Sequence, residues 1–204
     1  CVARRLSRIY GSGATDWLSV GDSFGRWLHS LTERGSAFPQ HPLPTAMSDS
    51  QDAFVLHISH RDDALPKALE SNDVVIGWSR AGELHDSDLD WNEFREIVHQ
   101  EYHSDQDNYR RAGASAGNLW RFIREMEEGD LVVVPDGSEF YVAEVTGDAG
   151  YEPERIEEDT AHRRSVKWLN DGESILRGIA RSALQSRMKA RQTCVEATDL
   201  IDEI

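Results

Sequence analysis

Trp78 is the residue of this sequence best placed to bind a ligand through its side chain. It ends the apolar run Asp73–Trp78 and comes directly before the polar loop Ser79–Gly82. We therefore expect the indole at the rim of the fold, where its face can stack on a flat ring such as a nucleobase. Ser79 can add a polar contact beside the stack. A core position for Trp78 is the alternative.

Recognition of a single base requires aromatic walls and directed hydrogen bonds, because stacking alone does not discriminate among bases. In duplex DNA the base must first be flipped out of the helix. A methylated exocyclic amine adds apolar contact and removes one donor, so an aromatic cage can favour a methylated base.

The residues needed for nuclease catalysis, metal binding or a P-loop are not found together in this sequence. Glu144 has no lysine beside it, and Lys167 has no acid two residues earlier, as a metal-dependent nuclease would need. His57 and His60 have no third metal ligand nearby, and the loop Gly113–Gly117 lacks the P-loop lysine. We expect no catalytic residue, no bound metal and no cofactor in this chain.

Composition indicates a soluble globular protein in a reducing cytoplasm. The chain has 204 residues, two cysteines and 39% hydrophobic residues. No apolar run approaches the ~20 residues of a membrane span, and no signal peptide is evident. The net charge of -15 opposes bulk attraction to phosphate.

The charges are nevertheless segregated along the sequence. Segments 108–124 and 161–191 are basic, whereas 125–160 is strongly acidic. This pattern permits a basic face on an acidic protein, although basic residues can also simply decorate a solvated surface. The expected phosphate contacts are two arginine pairs: Arg110, Arg111, Arg163 and Arg164.

Residues 47–204 read as one α+β domain of short strands and helices. Strands are predicted at 53–58, 73–78, 131–134, 140–146 and 164–169, and helices at 65–70, from Ser87 or Asp88, and from Ser115 to Gly129. Thr193 and Glu196 form a possible capping box near the end. Residues 1–46 hold a predicted helix around Trp27 and a proline-containing linker, and are interpreted as an extension of the domain.

Three segments carry a family resemblance: Gly129–Pro135, Tyr141–Asp148 and Arg163–Leu169. They resemble the small PUA-like barrels of the EVE and YTH group, as found at the N-terminus of Mrr- and McrBC-type restriction proteins. That family reads chemically modified bases. The resemblance implies a small β-barrel flanked by helices.

The resemblance also implies a binding site. Gly77-Trp78-Ser79 is similar to the tryptophan and small polar residue of YTH-type readers. Further cage walls in that group come from the loop and helix that follow. By position, the matching residues here are Trp91 and Trp120, with Tyr109 behind them.

The leading hypothesis is a module that binds a modified, flipped-out base in DNA and lends specificity to a restriction system, with a nuclease or an AAA+ motor as partner. An RNA-binding reader of modified RNA is the second hypothesis. A third is a protein-interaction or regulatory domain without nucleic acid, which the acidic segment 125–160 favours.

Overall fold

The structure is a computed structural model that describes residues 51–58, 61, 63–105 and 109–204. The helix and linker predicted within residues 1–46 lie outside the described residues. The helices and strands, in chain order, are β1 (Ala53–Leu56), α1 (Ala64–Ser71), β2 (Asp73–Ile76), α2 (Trp91–Tyr102), α3 (Tyr109–Trp120), β3 (Leu131–Asp136), β4 (Glu139–Tyr151), β5 (His162–Trp168), β6 (Ile175–Leu176), α4 (Ser182–Arg187) and β7 (Cys194–Glu196).

The seven strands of the described residues belong to one sheet, ordered β2-β5-β4-β3-β1-β7, with β6 paired to the start of β4. β1 and β3 run parallel, and the other neighbours run antiparallel. The predicted mixed α+β class is confirmed. A closed barrel is not shown: in the described part of the chain, the edge strands β2 and β7 do not pair, so the sheet is open.

Both faces of the sheet contribute buried side chains. Successive side chains of a strand point to opposite sides, and each side packs in its own core. Phe54 and Leu56 face a large core that also contains Phe94 of α2 and Leu119 of α3. Val55, between them, faces a smaller core beneath α4 and the C-terminal residues. β1 and the first four residues of β3 are therefore continuous apolar runs.

α1 lies at its predicted position, whereas α2 and α3 begin at other residues than the sequence predicts. α2 begins after Asp90, whose carboxylate accepts the main-chain N–H groups of Asn92 and Glu93, while the Glu93 carboxylate accepts the N–H of Asp90. This reciprocal capping box overrides Ser87 and Asp88 as starting points.

The predicted small-residue loop 113–117 is instead part of α3, so the prediction of a helix start at Ser115 is wrong. Ala112, Ser115 and Ala116 are buried. Their small side chains allow the α3 backbone to pack closely on its neighbours, and this burial stabilises the helix despite Gly113 and Gly117. A π-helical turn, Arg121–Glu125, follows α3.

The predicted capping box at Thr193 and Glu196 is also wrong, because this segment forms β7. Cys194 pairs with Leu56 of β1. Pairing with β1 satisfies the backbone hydrogen-bonding groups of this segment, so it needs no helix cap. Burial raises the pKa of the Cys194 thiol to about 12. No helix in the described ranges has the length and apolar character needed to cross a membrane.

Candidate functional site

The main cavity of interest, about 600 Å³, lies where the ends of both edge strands come together. Its lining consists of residues 57–58 after β1, residues 77–78 after β2, residues 190–193 before β7, Tyr102 and Asp159. The sheet therefore curls until its two unpaired edges border one space. Volumes of roughly 300–1,000 Å³ are typical of small-molecule sites.

Trp78 adopts a backbone conformation that is rare for a bulky residue. Its φ is 64°, in the left-handed region that usually favours glycine. Strain of this kind costs on the order of 1–3 kcal/mol and persists only where surrounding contacts fix it. The indole is half-buried: it packs against the large core and borders the cavity.

Hydrogen bonds fix the main chain on both sides of the indole. The Trp78 carbonyl lies 3.0 Å from Nε2 of His162, and the Ser79 N–H donates to Oδ1 of Asp159 at 2.9 Å. The Ser79 carbonyl accepts the Tyr151 hydroxyl at 2.7 Å. These bonds preorganise the turn that carries Trp78.

The Ser79 side chain has a structural role. It is only 1% exposed, and its Oγ accepts the main-chain N–H of Ala161 at 2.9 Å. Because the hydroxyl points into the protein, the expectation that it contacts a ligand is not supported. Ser79 positions the turn that carries Trp78.

Asp159 lies against Gly77 beside the cavity. A Cβ atom at residue 77 would lie 2.6 Å from Oδ2 of Asp159, closer than such atoms approach. Glycine is therefore required at 77 for the carboxylate to occupy this position. Asp159 itself has a φ of 54°.

Tyr102, the last residue of α2, supplies a second aromatic ring to the cavity. Its hydroxyl accepts the main-chain N–H of Arg80 at 2.6 Å, and the Arg80 guanidinium lies 4.6 Å from the ring centroid. Burial is the main cause of a raised pKa for the Tyr102 hydroxyl, partly offset by hydrogen bonding from Arg80. The phenol therefore stays protonated at neutral pH.

Two histidines support the Trp78 turn from inside the protein. His162 is fully buried, and its Nδ1 lies 2.9 Å from Nε2 of His85, with the two rings stacked. Burial, with the neighbouring His85, lowers the pKa of His162 to about 4. Burial likewise lowers the pKa of His85. Both rings are therefore neutral at pH 7.

Trp91, Trp120 and Tyr109 are not among the described residues that line this cavity. Trp91 and Trp120 meet edge to face at 5.4 Å and border a separate, shallower groove with Arg121. Tyr109 stacks on His99 with ring centroids 4.1 Å apart. The structure therefore does not bring the aromatic residues expected as cage walls together with Trp78.

Arg163 and Arg164 are buried, which corrects the expectation that they reach phosphate. Arg163 forms an ion pair of 2.7 Å with Asp73 of β2. Arg164 is 3% exposed and donates to the carbonyls of Phe122 and Gly147. These bonds satisfy main-chain acceptors at the π-helical turn and at the irregularity of β4.

Arg110 and Arg111 are exposed, as expected, but they lie in the first turn of α3 and not in a loop. A basic residue that lines the Trp78 cavity is Arg191, which is exposed. Lys189 is exposed two residues earlier. This positive charge at the cavity was missed as a specific site, although the sequence marks 161–191 as basic.

Tyr102 and Asp159 were also missed by sequence reasoning. Tyr102 has the spacing of the apolar face of α2, and Asp159 lies in a stretch of acids, so neither is distinguished by its neighbours. The only local sequence signal of the Asp159 contact is Gly77, the glycine before Trp78. In the described part of the chain, no group of three or more metal-binding side chains occurs.

Residues 55–195 match the model of a family described as a domain of unknown function, DUF8426. The chain belongs to the DUF8426 family. The match begins within β1 and ends within β7, so the DUF8426 domain includes every strand that contributes to the Trp78 cavity. No curated protein matches the chain.

Proposed function

We propose that this DUF8426 domain binds nucleic acid by taking one modified, flipped-out base into the Trp78 cavity. The observation that carries the proposal is the Trp78 turn itself: a half-buried indole in a strained conformation, held by partly buried hydrogen bonds at the wall of the cavity. A protein maintains such strain where a side chain must be presented in one orientation.

The cavity has the components that base recognition requires. Trp78 provides a stacking surface, Tyr102 a second ring, and Asp159 a hydrogen-bonding group. Arg191 places a positive charge at the cavity, where the phosphate backbone of a captured nucleotide would pass. A local basic contact of this kind operates despite the net charge of -15.

We further propose DNA as the nucleic acid and a PUA-like relationship to the EVE and YTH readers, with a nuclease or an AAA+ motor as effector partner. The curled sheet with a cavity between its edges is compatible with a barrel-like ancestor. A reader of modified RNA is the second candidate, because a stacked base and a basic rim serve both nucleic acids. A protein-interaction role is the outcome left if neither binds.

The test measures affinity of the full chain for oligonucleotides with one central 5-methylcytosine or N6-methyladenine, against unmodified controls. Single- and double-stranded DNA and the matching RNA form the separate arms. The proposal predicts tighter binding to at least one modified DNA. Equal and feeble binding to every oligonucleotide contradicts it, and preference for the ribose backbone selects the RNA reader.

A further inference from the structure

Asp159 supplies the only carboxylate among the described residues that line the Trp78 cavity. The other polar side chains of the lining come from His57, Tyr102, and the segment 191–193. A carboxylate at the cavity wall repels the phosphate groups of a nucleic-acid backbone. Its presence calls for a ligand that donates hydrogen bonds.

The position of this carboxylate is fixed on two sides. Oδ1 accepts the Ser79 N–H at 2.9 Å, and Oδ2 lies where a side chain at residue 77 would begin. Asp159 is exposed overall, but one hydrogen bond and one close approach hold its carboxylate against the residues before and after Trp78. Asp159 and Trp78 line the same cavity, so the carboxylate is available to a ring bound there.

Asp159 and Tyr102 line the same cavity. After burial and the Arg80 hydrogen bonds, the negative charge of Asp159 also contributes to the raised pKa of the Tyr102 hydroxyl. A ring bound in this cavity would therefore lie near the carboxylate.

An ionised carboxylate only accepts hydrogen bonds. An exocyclic amine of a base donates to it, whereas the carbonyl oxygen at the same position of a keto base repels it. In thymine the ring N–H lies between two carbonyl oxygens, so an approaching carboxylate meets unfavourable partial charges on both sides. Losing a charged hydrogen bond and leaving the acceptor unpaired lowers affinity strongly.

We propose that Asp159 is a specificity-determining residue that selects a base carrying an exocyclic amine over its keto counterpart. This inference rests on the proposed function, since it requires a base in the Trp78 cavity. 5-Methylcytosine and thymine form a matched pair for it: both have a 5-methyl group, and they differ at the amine and in the protonation of one ring nitrogen.

The experiment measures binding of the full chain to single-stranded DNA with one central 5-methylcytosine or thymine. The variant is Asp159→Asn, because an amide retains an acceptor for the Ser79 N–H and places a donor at the other position. Asparagine also tolerates the left-handed backbone. The control is Glu157→Gln, an equal change of charge in the same loop at a residue that is not among those lining the cavity.

The wild type and Glu157→Gln should prefer 5-methylcytosine by about 10–100-fold, the range expected for a charged hydrogen bond. Asp159→Asn should lose or reverse this preference while keeping the melting temperature within a few degrees. Binding without an amine preference, or a preference that survives Asp159→Asn, overturns the role of Asp159 alone. No binding of any oligonucleotide by the wild type overturns the proposed function together with it.

Discussion

The carboxylate of Asp159 occupies the space that a side chain at residue 77 would require. Oδ2 lies 2.6 Å from the position of a Cβ atom on Gly77, while Oδ1 accepts the Ser79 N–H at 2.9 Å. The residue before Trp78 and the loop before β5 are therefore fitted to one another. Through this fit, a residue far along the chain determines how the indole is presented.

Gly77→Ala should destabilise the protein and weaken ligand binding. The added methyl group displaces the carboxylate or the turn, and overpacking of this kind costs about 1–3 kcal/mol of unfolding free energy. Denaturant unfolding measures the cost. Gly117→Ala is the matched control: its Cβ would lie 3.7 Å from Arg121 Nη1, an ordinary contact, so its stability should be unchanged or higher.

A double-mutant cycle identifies the cause of this cost. Asp159→Gly removes the carboxylate and suits the left-handed backbone at 159. In that background, Gly77→Ala should cost much less than in the wild type, because the two residues are in contact. Equal costs in both backgrounds would show that Asp159 is not what excludes a side chain at 77.

Acidification should destabilise the domain through the buried histidine pair. The pKa of His162 is about 4 in the folded protein against an ordinary value of 6.5. The unfolded state therefore binds more protons between these values. The contribution of neutral His162 to the free energy of unfolding is fully present above about pH 6.5. It is lost as the pH decreases to 4, by a total of about 3 kcal/mol.

Unfolding free energies at pH 7, 5.5 and 4 test this loss. His162→Gln retains a donor for the Trp78 carbonyl but does not titrate, so its stability should fall less with acid than that of the wild type. Carboxylates titrate in both proteins and cancel in the comparison. Parallel pH profiles would assign the acid sensitivity to other groups.

The sheet could be predicted from sequence to a large extent, because its strands are runs of β-branched and aromatic residues. β1, β2, the β3–β4 hairpin and β5 lie near their predicted positions. The place of Trp78 just after β2 also follows from the point where the apolar run ends. α3 was misjudged because glycines and small residues suggest a loop until close helix packing is known.

The rest of the candidate site depends on contacts between distant residues. Tyr102 and Asp159 reach the cavity because α2 ends there and because the sheet curls, and neither fact has a local sequence signal. Arg163 and Arg164 seemed exposed because paired arginines usually are. Tertiary contacts reverse this: Asp73 neutralises one, and main-chain carbonyls bind the other.

Charge reversal at Arg191 and Lys189 together should weaken binding to all oligonucleotides alike. Each lost phosphate contact lowers the slope of log affinity against log salt by about 0.7 for single strands. The two substitutions should therefore reduce the slope by up to about 1.4. An unchanged slope would show that Arg191 and Lys189 do not contact phosphate groups.

The same salt titration tests the phosphate contacts predicted for Arg110 and Arg111. Arg110→Glu with Arg111→Glu makes an equal change of net charge at exposed positions. A reduced slope in this variant as well would extend the phosphate path to the first turn of α3. A normal slope would remove both arginines from the contact surface.

Trp120→Ala should reduce stability and leave base binding intact. Its ring packs edge to face on Trp91 and Phe94, at 5.4 and 5.1 Å. Removing a partly buried tryptophan costs about 2–3 kcal/mol, less than for a fully buried one. A melting curve and an oligonucleotide titration below the melting transition give both readouts. Lost affinity at unchanged stability would move the site to the Trp91–Trp120 groove.

The most direct test of the central claim is the affinity of Trp78→Ala for the best modified oligonucleotide, measured where unfolding curves show the variant to be fully folded. If the indole stacks on the captured base, Trp78→Ala makes the binding free energy less favourable by about 1–3 kcal/mol. Trp78→Phe should recover part of it, because phenylalanine keeps an aromatic face. If Trp78 only stabilises the core, the folded alanine variant binds as tightly as the wild type, and that result would contradict the account.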